Sequence, residues 1–237
     1  MALADSAFSV DRSLLEKARS ALSARADLYC VIGGACAGKS TVCRALAETS
    51  GVALIDMDQR IFGGFSFDPK RHPAVSAWFS ADNPLAWMLS RSWTDFDALN
   101  RATNAEYLDV LADELLTAER SGPQLIDGGF THPSVLAEVF APSHIVCLST
   151  TPAESARCWE TAEDRAQMRR WIRALPQPDA MWSRFLEFDR KMSETMVAES
   201  RALGIAVIVR EPEMSRTTLC DVVQARLGLR HSSTTPT

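Results

Sequence analysis

Residues Gly33-Gly34-Ala35-Cys36-Ala37-Gly38-Lys39-Ser40, followed by Thr41, fit the spacing G-x-x-x-x-G-K-[ST]. Glycines at both ends let successive backbone N–H groups turn inward around phosphate oxygens, and a helix beginning at the lysine points its positive end at the same anion. Lys39 would bring a point charge to the β/γ-phosphates of a nucleotide, and the Ser40 hydroxyl could supply one ligand to the Mg²⁺ that bridges them. A chance glycine turn before a helix is the competing explanation. At average residue usage it arises in a chain of this size about once in a hundred, and lysine is scarce here, at positions 17, 39, 70 and 191 alone.

Three acids stand where they could serve the same chemistry. Asp56 and Asp58 follow the apolar run 52–55, and Asp127 follows the run 124–126. In an open parallel sheet the ligand crevice lies outside the C-terminal strand ends, the edge from which the glycine loop also emerges. Asp127 could hold Mg²⁺ directly or through water. Each acid has a plainer alternative, because Asp caps helices and Asp-Gly makes turns. A second basic feature lies further on: Arg165, Arg169 and Arg173 share one helical face, with Met168, Trp171, Ile172 and Leu175 on the other. This stretch is either a solvated face, balanced by Glu160, Glu163 and Asp164, or a cover for the loop's phosphates. Cys36 lies within the loop, where a helix N-terminus lowers thiol pKa. With no resolving thiol in its sequence neighbourhood, a small filler is its simpler role.

The elements that must position these residues are legible in outline. The run 28–32 reads as a buried strand leading into the loop, and Val42, Leu46 and Ala47 give the next helix an apolar face. A helix over 11–25, with Ser13 and Glu16 spaced as a capping box, precedes that strand and is expected on the sheet edge. Residues 59–122 read as a helical insertion, punctuated by Gly63-Gly64, Pro69, Pro73 and Pro84. Its longest helix spans 94–120, capped by Thr94 and Asp97 and stopped at Gly122-Pro123. Further strands at 144–148 and 205–209 make five in alternation with helices, so the fold class is α/β with a parallel sheet. All six tryptophans fall in the helical pieces, and some could line a cleft. Residues 228–237 are polar and expected to fray.

Composition bounds the rest. The 237 residues are 46% hydrophobic and 23% charged, enough for one domain over 1–237 with insertions. A net charge of -5 leaves no global footprint for nucleic acid or an anionic membrane. Neither a secretory signal nor a membrane span can be read, so a cytoplasmic chain is expected. Six cysteines never form C-x-x-C, and the four histidines have no zinc-type spacing.

With the glycine loop, the Asp56-Met57-Asp58 pair, the Asp127-Gly128-Gly129 strand end and the arginine stretch in that order, residues 28–212 resemble the P-loop small-molecule kinases, a group that includes shikimate, gluconate, nucleoside-monophosphate and chloramphenicol kinases. The resemblance implies a P-loop NTPase fold with strand order 2-3-1-4-5, an acceptor-binding insertion, and a lid over 159–178 carrying Arg165 and Arg169 to the transferring phosphate. It implies ATP and Mg²⁺, with residues 33–41 on the nucleotide, Ser40 and Asp127 on the metal, Asp56 as the base for an acceptor hydroxyl, and Asp58 orienting that acceptor. The family's acceptor signatures are missing, and the insertion is longer and richer in tryptophan than in the smallest members. Arg60 and Arg101, with Arg71 and Arg91, would suit an acidic small-molecule acceptor, and the tryptophans a sugar or drug-like one. Rival classes fit less well: N-K-x-D is absent, Phe130 stands where a GTPase switch would have glycine, and Gly128 stands where a motor would have glutamate. A nucleotide-binding module without transfer activity, a nucleotide kinase and an antibiotic-phosphorylating enzyme stay open.

Overall fold

The computed structural model describes residues 7–118 and 122–229. Its strands are β1 Leu28–Gly33, β2 Ala53–Asp56, β3 Gln124–Asp127, β4 Ile145–Ser149 and β5 Ala206–Val209. They form one sheet, parallel throughout, in the order β2-β3-β1-β4-β5. Side chains alternate across the sheet, and both faces are apolar because both are covered. Cys30, Ile32, Ile126 and Cys147 join one core, whereas Val31, Leu125, Val146 and Leu148 join the other.

The helices follow from local signals. They are α1 Arg12–Leu22, α2 Lys39–Ser50, the single turn α3 Met57–Gln59, α4 Pro73–Phe79, α5 Pro84–Leu89, α6 Trp93–Thr117, α7 Pro133–Leu136, α8 Pro152–Thr161, α9 Ala166–Arg173, α10 Pro178–Ala202 and α11 Arg216–Leu227. Helix α2 covers one sheet face with α11, while α1, α6 and α10 fill the other. A proline sits at the first position of α4, α5, α7, α8 and α10, where its missing N–H costs nothing.

Several sequence expectations shift. Helix α1 is capped by Asp11, whose carboxylate accepts the Ser13 N–H at 2.8 Å, and not by a Ser13–Glu16 box. It packs along α6 and not on the sheet edge. Helix α6 starts at Trp93, directly after its cap Ser92, whose hydroxyl, and not that of Thr94, accepts the Asp95 N–H at 3.1 Å, and it ends at Thr117. Asp97 is turned inward to Arg101 and His132 instead. Arg120 and the tail residues 230–237 lie outside the described residues.

Within the insertion, the start of α4 and the residues before it are pinned to α6 by buried acids. Burial alone would raise the Asp109 carboxyl, but hydrogen bonds from His72, Arg71 and Lys17 overcome it and hold it below the usual range. One turn earlier Glu106, 3% exposed, accepts the N–H groups of Ala74 and Val75 at 2.8 Å each, satisfying the start of α4. Glu106→Ala should orphan both donors and cost roughly 3 kcal/mol, read as a lowered urea midpoint at unchanged m-value. Glu106→Gln, which keeps one acceptor oxygen, should lose markedly less.

Candidate active site

Strand β1 ends at Gly33, where backbone meets backbone: a Cβ there would lie 1.9 Å from the Leu148 carbonyl oxygen of β4. The next residue, Gly34, donates its N–H to that oxygen at 3.2 Å. The loop then turns through left-handed conformations at Cys36 (φ 62°) and at Gly38 (φ 92°), which is the N-cap of α2. Gly38 therefore satisfies two demands at once, a positive φ and an N-terminus clear of side chain. Lys39 Nζ donates to the Gly34 carbonyl oxygen at 2.9 Å, folding the side chain back along the loop. Desolvation pulls its pKa below the ordinary lysine value, opposed by Asp127 and Asp58.

The three strand-end acids separate. Asp56 and Asp127 are register partners on β2 and β3. Asp127 is 4% exposed; burial raises its carboxyl, opposed by a hydrogen bond from Ser40 and by the charge of Lys39. Its Oδ1 is buried with no hydrogen-bond partner among the described residues. Asp56, assigned above as the base, instead caps α3, accepting the Gln59 N–H at 3.0 Å, and does not line the cleft. Asp58 does line it. The desolvation of its surroundings raises the Asp58 carboxyl, opposed by Lys39 and, more weakly, Arg165, while water still reaches it from the cleft.

The arginines also sort by position. Arg165, in the short turn between α8 and α9, places its guanidinium 5.0 Å from the Trp159 ring centroid and lines the cleft. Arg169 donates through Nη1 to the carbonyls of Trp159 at 2.7 Å and Ala162 at 3.4 Å, stitching the segment together without reaching the cleft. Arg60 is held by Glu114 at 2.6 Å, and Arg101 by Asp97 at 2.7 Å and Glu199 at 2.6 Å. Neither lines the cleft, so the structure does not bring these two to an acceptor. Cys36 departs from expectation as well. Burial, reinforced by a hydrogen bond with Cys158, pushes its thiol up to about 12, so the helix N-terminus does not activate it.

Lys39, Ser40, Asp58, Asp127 and Arg165 thus converge on one cavity of about 380 Å³. Sequence reasoning missed some of its walls. Asp189, in the middle of α10, faces Lys39 and Arg165; burial raises its carboxyl, opposed first by a hydrogen bond from Ser155 at 2.8 Å. Asn100, Thr103 and Tyr107 come from α6, and Phe62 from the π-helical turn Arg60–Gly64. A charged residue amid an amphipathic helix carries no local signal of this kind. The i, i+3, i+7 spacing of Asn100, Thr103 and Tyr107, a polar stripe on an otherwise buried helix, could have been noticed.

A parallel 2-3-1-4-5 sheet whose first strand opens into a G-x-x-x-x-G-K-S loop, with a helical insertion after the second strand, is an α/β P-loop kinase fold. No family model and no curated protein matches the chain. Among solved structures it is similar to a shikimate kinase from Acinetobacter baumannii in complex with shikimate: 18% identity, 85% of this chain and 93% of that chain covered, TM-score 0.46. It is also similar to the NadR protein in complex with NR: 13% identity, 90% of this chain and 53% of that chain covered, TM-score 0.36. The fold class rests on strand order and loop geometry, not on these likenesses. Among the described residues no helix is long and apolar enough to cross a membrane.

Proposed function

We propose that the chain is an ATP-dependent phosphotransferase that moves the γ-phosphoryl group of ATP to a hydroxyl of a small molecule, with Mg²⁺. The observation that carries this reading is the convergence of Lys39, Ser40, Asp58, Asp127 and Arg165 on one cavity. A loop that only held a nucleotide would need the first two. Asp58 and Arg165, which come from outside the loop, are what transfer to an acceptor calls for.

The residues present fit Mg²⁺, which takes few protein ligands and completes its shell with water and phosphate oxygens. The buried, unpartnered Oδ1 of Asp127 and the adjacent Ser40 hydroxyl are suitable oxygens, and they would hold the ion. When bound, it would draw off charge from the β- and γ-phosphates. The loop N–H groups of residues 33–41 would cradle those phosphates, and Lys39 would exchange the Gly34 carbonyl for a phosphate oxygen. Asp58, lining the cavity and with its carboxyl raised above the ordinary aspartate value by burial, would take the proton of the acceptor hydroxyl as its oxygen attacks the γ-phosphorus and ADP leaves. Asp56 is assigned the lesser role of fixing the turn that presents Asp58. The same reading makes the enzyme cytoplasmic, where its six free cysteines stay reduced.

The test is acceptor-dependent ADP release. A kinase consumes ATP faster when its acceptor is added, whereas a nucleotide-binding module or stray ATPase does not respond to any acceptor. ATP with Mg²⁺ should also raise the melting temperature, since a ligand of the native state stabilises it by mass action. No shift at millimolar ATP would count against the site.

Arg165 gives a sharper discrimination. An arginine that meets the equatorial oxygens as the bond loosens acts mainly in the transition state. Arg165→Ala should therefore lower kcat about tenfold or more, with only a small change in the ATP dissociation constant. Arg169→Ala should lower the melting temperature while costing less in kcat, because its guanidinium serves carbonyls of its own segment. If Arg169 proved the more damaging loss at intact stability, the two roles would be reversed.

A further inference from the structure

The arginines that could have met an acidic acceptor are spent elsewhere. Besides Arg60 and Arg101, Arg71 bonds Asp109, and Arg91 stacks with its guanidinium 3.6 Å from the Trp87 ring centroid. Only Lys39 and Arg165 among the described residues bring cationic side chains to the cavity, and phosphotransfer assigns both to the phosphates of ATP. The acids of the cavity are likewise assigned, Asp58 to the acceptor proton, Asp127 to Mg²⁺ and Asp189 to the Ser155 hydroxyl it accepts at 2.8 Å, so none is left over to receive a positive acceptor. The remaining wall is aromatic and amide-like: Phe62, Trp78, Phe96, Tyr107 and Phe188 with Asn100.

Two features of that wall are unexplained by packing. Phe62 is 64% exposed at the cleft, edge-on to Trp78 with centroids 5.7 Å apart. It stands on the π-helical turn beside Gly63, where an added Cβ would meet open space. The indole Nε1 of Trp78 is buried without a hydrogen-bond partner among the described residues, a state that costs free energy until an acceptor atom arrives. An apolar ring left open at a cleft and an enclosed indole donor left unpaired on a residue that lines it suit the same guest, one with a flat apolar face and an uncharged oxygen.

We infer, resting on the phosphotransfer reading, that the acceptor is an uncharged, ring-bearing alcohol. Its ring would lie between Phe62 and the aromatic wall, one oxygen would accept from Trp78 Nε1, and the reacting hydroxyl would stand at Asp58. A carboxylate or phosphate monoester would have to shed water into this wall with no cation to meet it, and an ammonium with no free acid.

Three probes that share a phenyl ring and a benzylic hydroxyl but end in an alcohol, a carboxylate or an ammonium separate these cases: phenylpropanediol, hydroxyphenylpropanoate and aminophenylpropanol. Titrated with Mg²⁺ and a saturating non-hydrolysable ATP analogue in place, so that Lys39 and Arg165 are engaged by phosphates, and followed by intrinsic tryptophan fluorescence, the diol should saturate, and the two ions should bind at least about tenfold more weakly. Trp78→Leu and Phe62→Ala should each weaken the diol by several fold and leave the ATP-induced melting shift unchanged. Equal or tighter binding of either ion, or a diol that never saturates at millimolar concentration, would overturn the inference. Diol binding unaffected by both variants would overturn it too. ADP release judges the underlying reading separately: saturable diol binding without stimulated ADP release would sink phosphotransfer and leave the cleft's preference standing.

Discussion

Lys39→Ala is expected to reduce phosphoryl transfer by about a thousandfold or more, the scale on which positioned charges act on transferring phosphoryl groups. The lysine contributes little else. Among the described residues its one hydrogen bond is to the Gly34 carbonyl, and it sits at the first position of α2, where alanine is well tolerated. The substituted protein should therefore unfold near the wild-type temperature when no nucleotide is present. Desolvation lowers the pKa of this amine, opposed by the charges of Asp127, Asp58 and Asp189 around it. Loss of turnover with an intact fold, and with a diminished ATP-induced melting shift, is the expected pair of results. Wild-type turnover in the variant would remove the loop from the chemistry and the whole functional reading with it.

How far such roles can be read from sequence depends on the distance over which each is decided. The loop is specified within eight consecutive residues, and its backbone turns where the glycines require it. Strand order follows from five apolar runs with helices between them, together with the resemblance that the loop suggested. Between Asp56 and Asp58 the choice lies in a single helical turn. Strand β2 continues through Asp56, α3 begins at Met57, and that boundary sends one carboxylate to a backbone N–H and the other into the cleft. Local propensity does not resolve a shift of two residues. Arg60 and Arg101 are decided at longer range still, by Glu114 and Glu199 in other parts of the chain. The same holds for Cys36, whose thiol is governed by burial and by Cys158 on α8 and not by the helix that follows it in sequence. Tryptophan content was visible at once, but only folding selects Trp78 and Trp159 for the cleft and Trp182 for the packing of α10.

That one-turn boundary supplies the second large effect. Asp58→Asn should lower kcat by roughly 10²–10⁴-fold, the usual contribution of a general base. The melting temperature should hold or rise, because the carboxylate it replaces sits in surroundings that disfavour its charge. The pH profile carries independent information. Because burial lifts the Asp58 carboxyl above the ordinary aspartate value, the acidic limb of kcat/KM should lie above that value in the wild type. Activity is lost as pH falls through this pKa, since the protonated acid cannot accept the hydroxyl proton. In Asp58→Asn that limb should vanish from the residual rate, a change that a merely structural role would not produce. Asp56→Asn is the control that decides between neighbours. Asparagine caps a helix about as well as aspartate, so the Gln59 N–H keeps its acceptor and kcat should fall far less. A loss at Asp56 as large as that at Asp58, with the acidic limb unmoved in Asp58→Asn, would return the base to Asp56 and make Asp58 the residue that orients the acceptor.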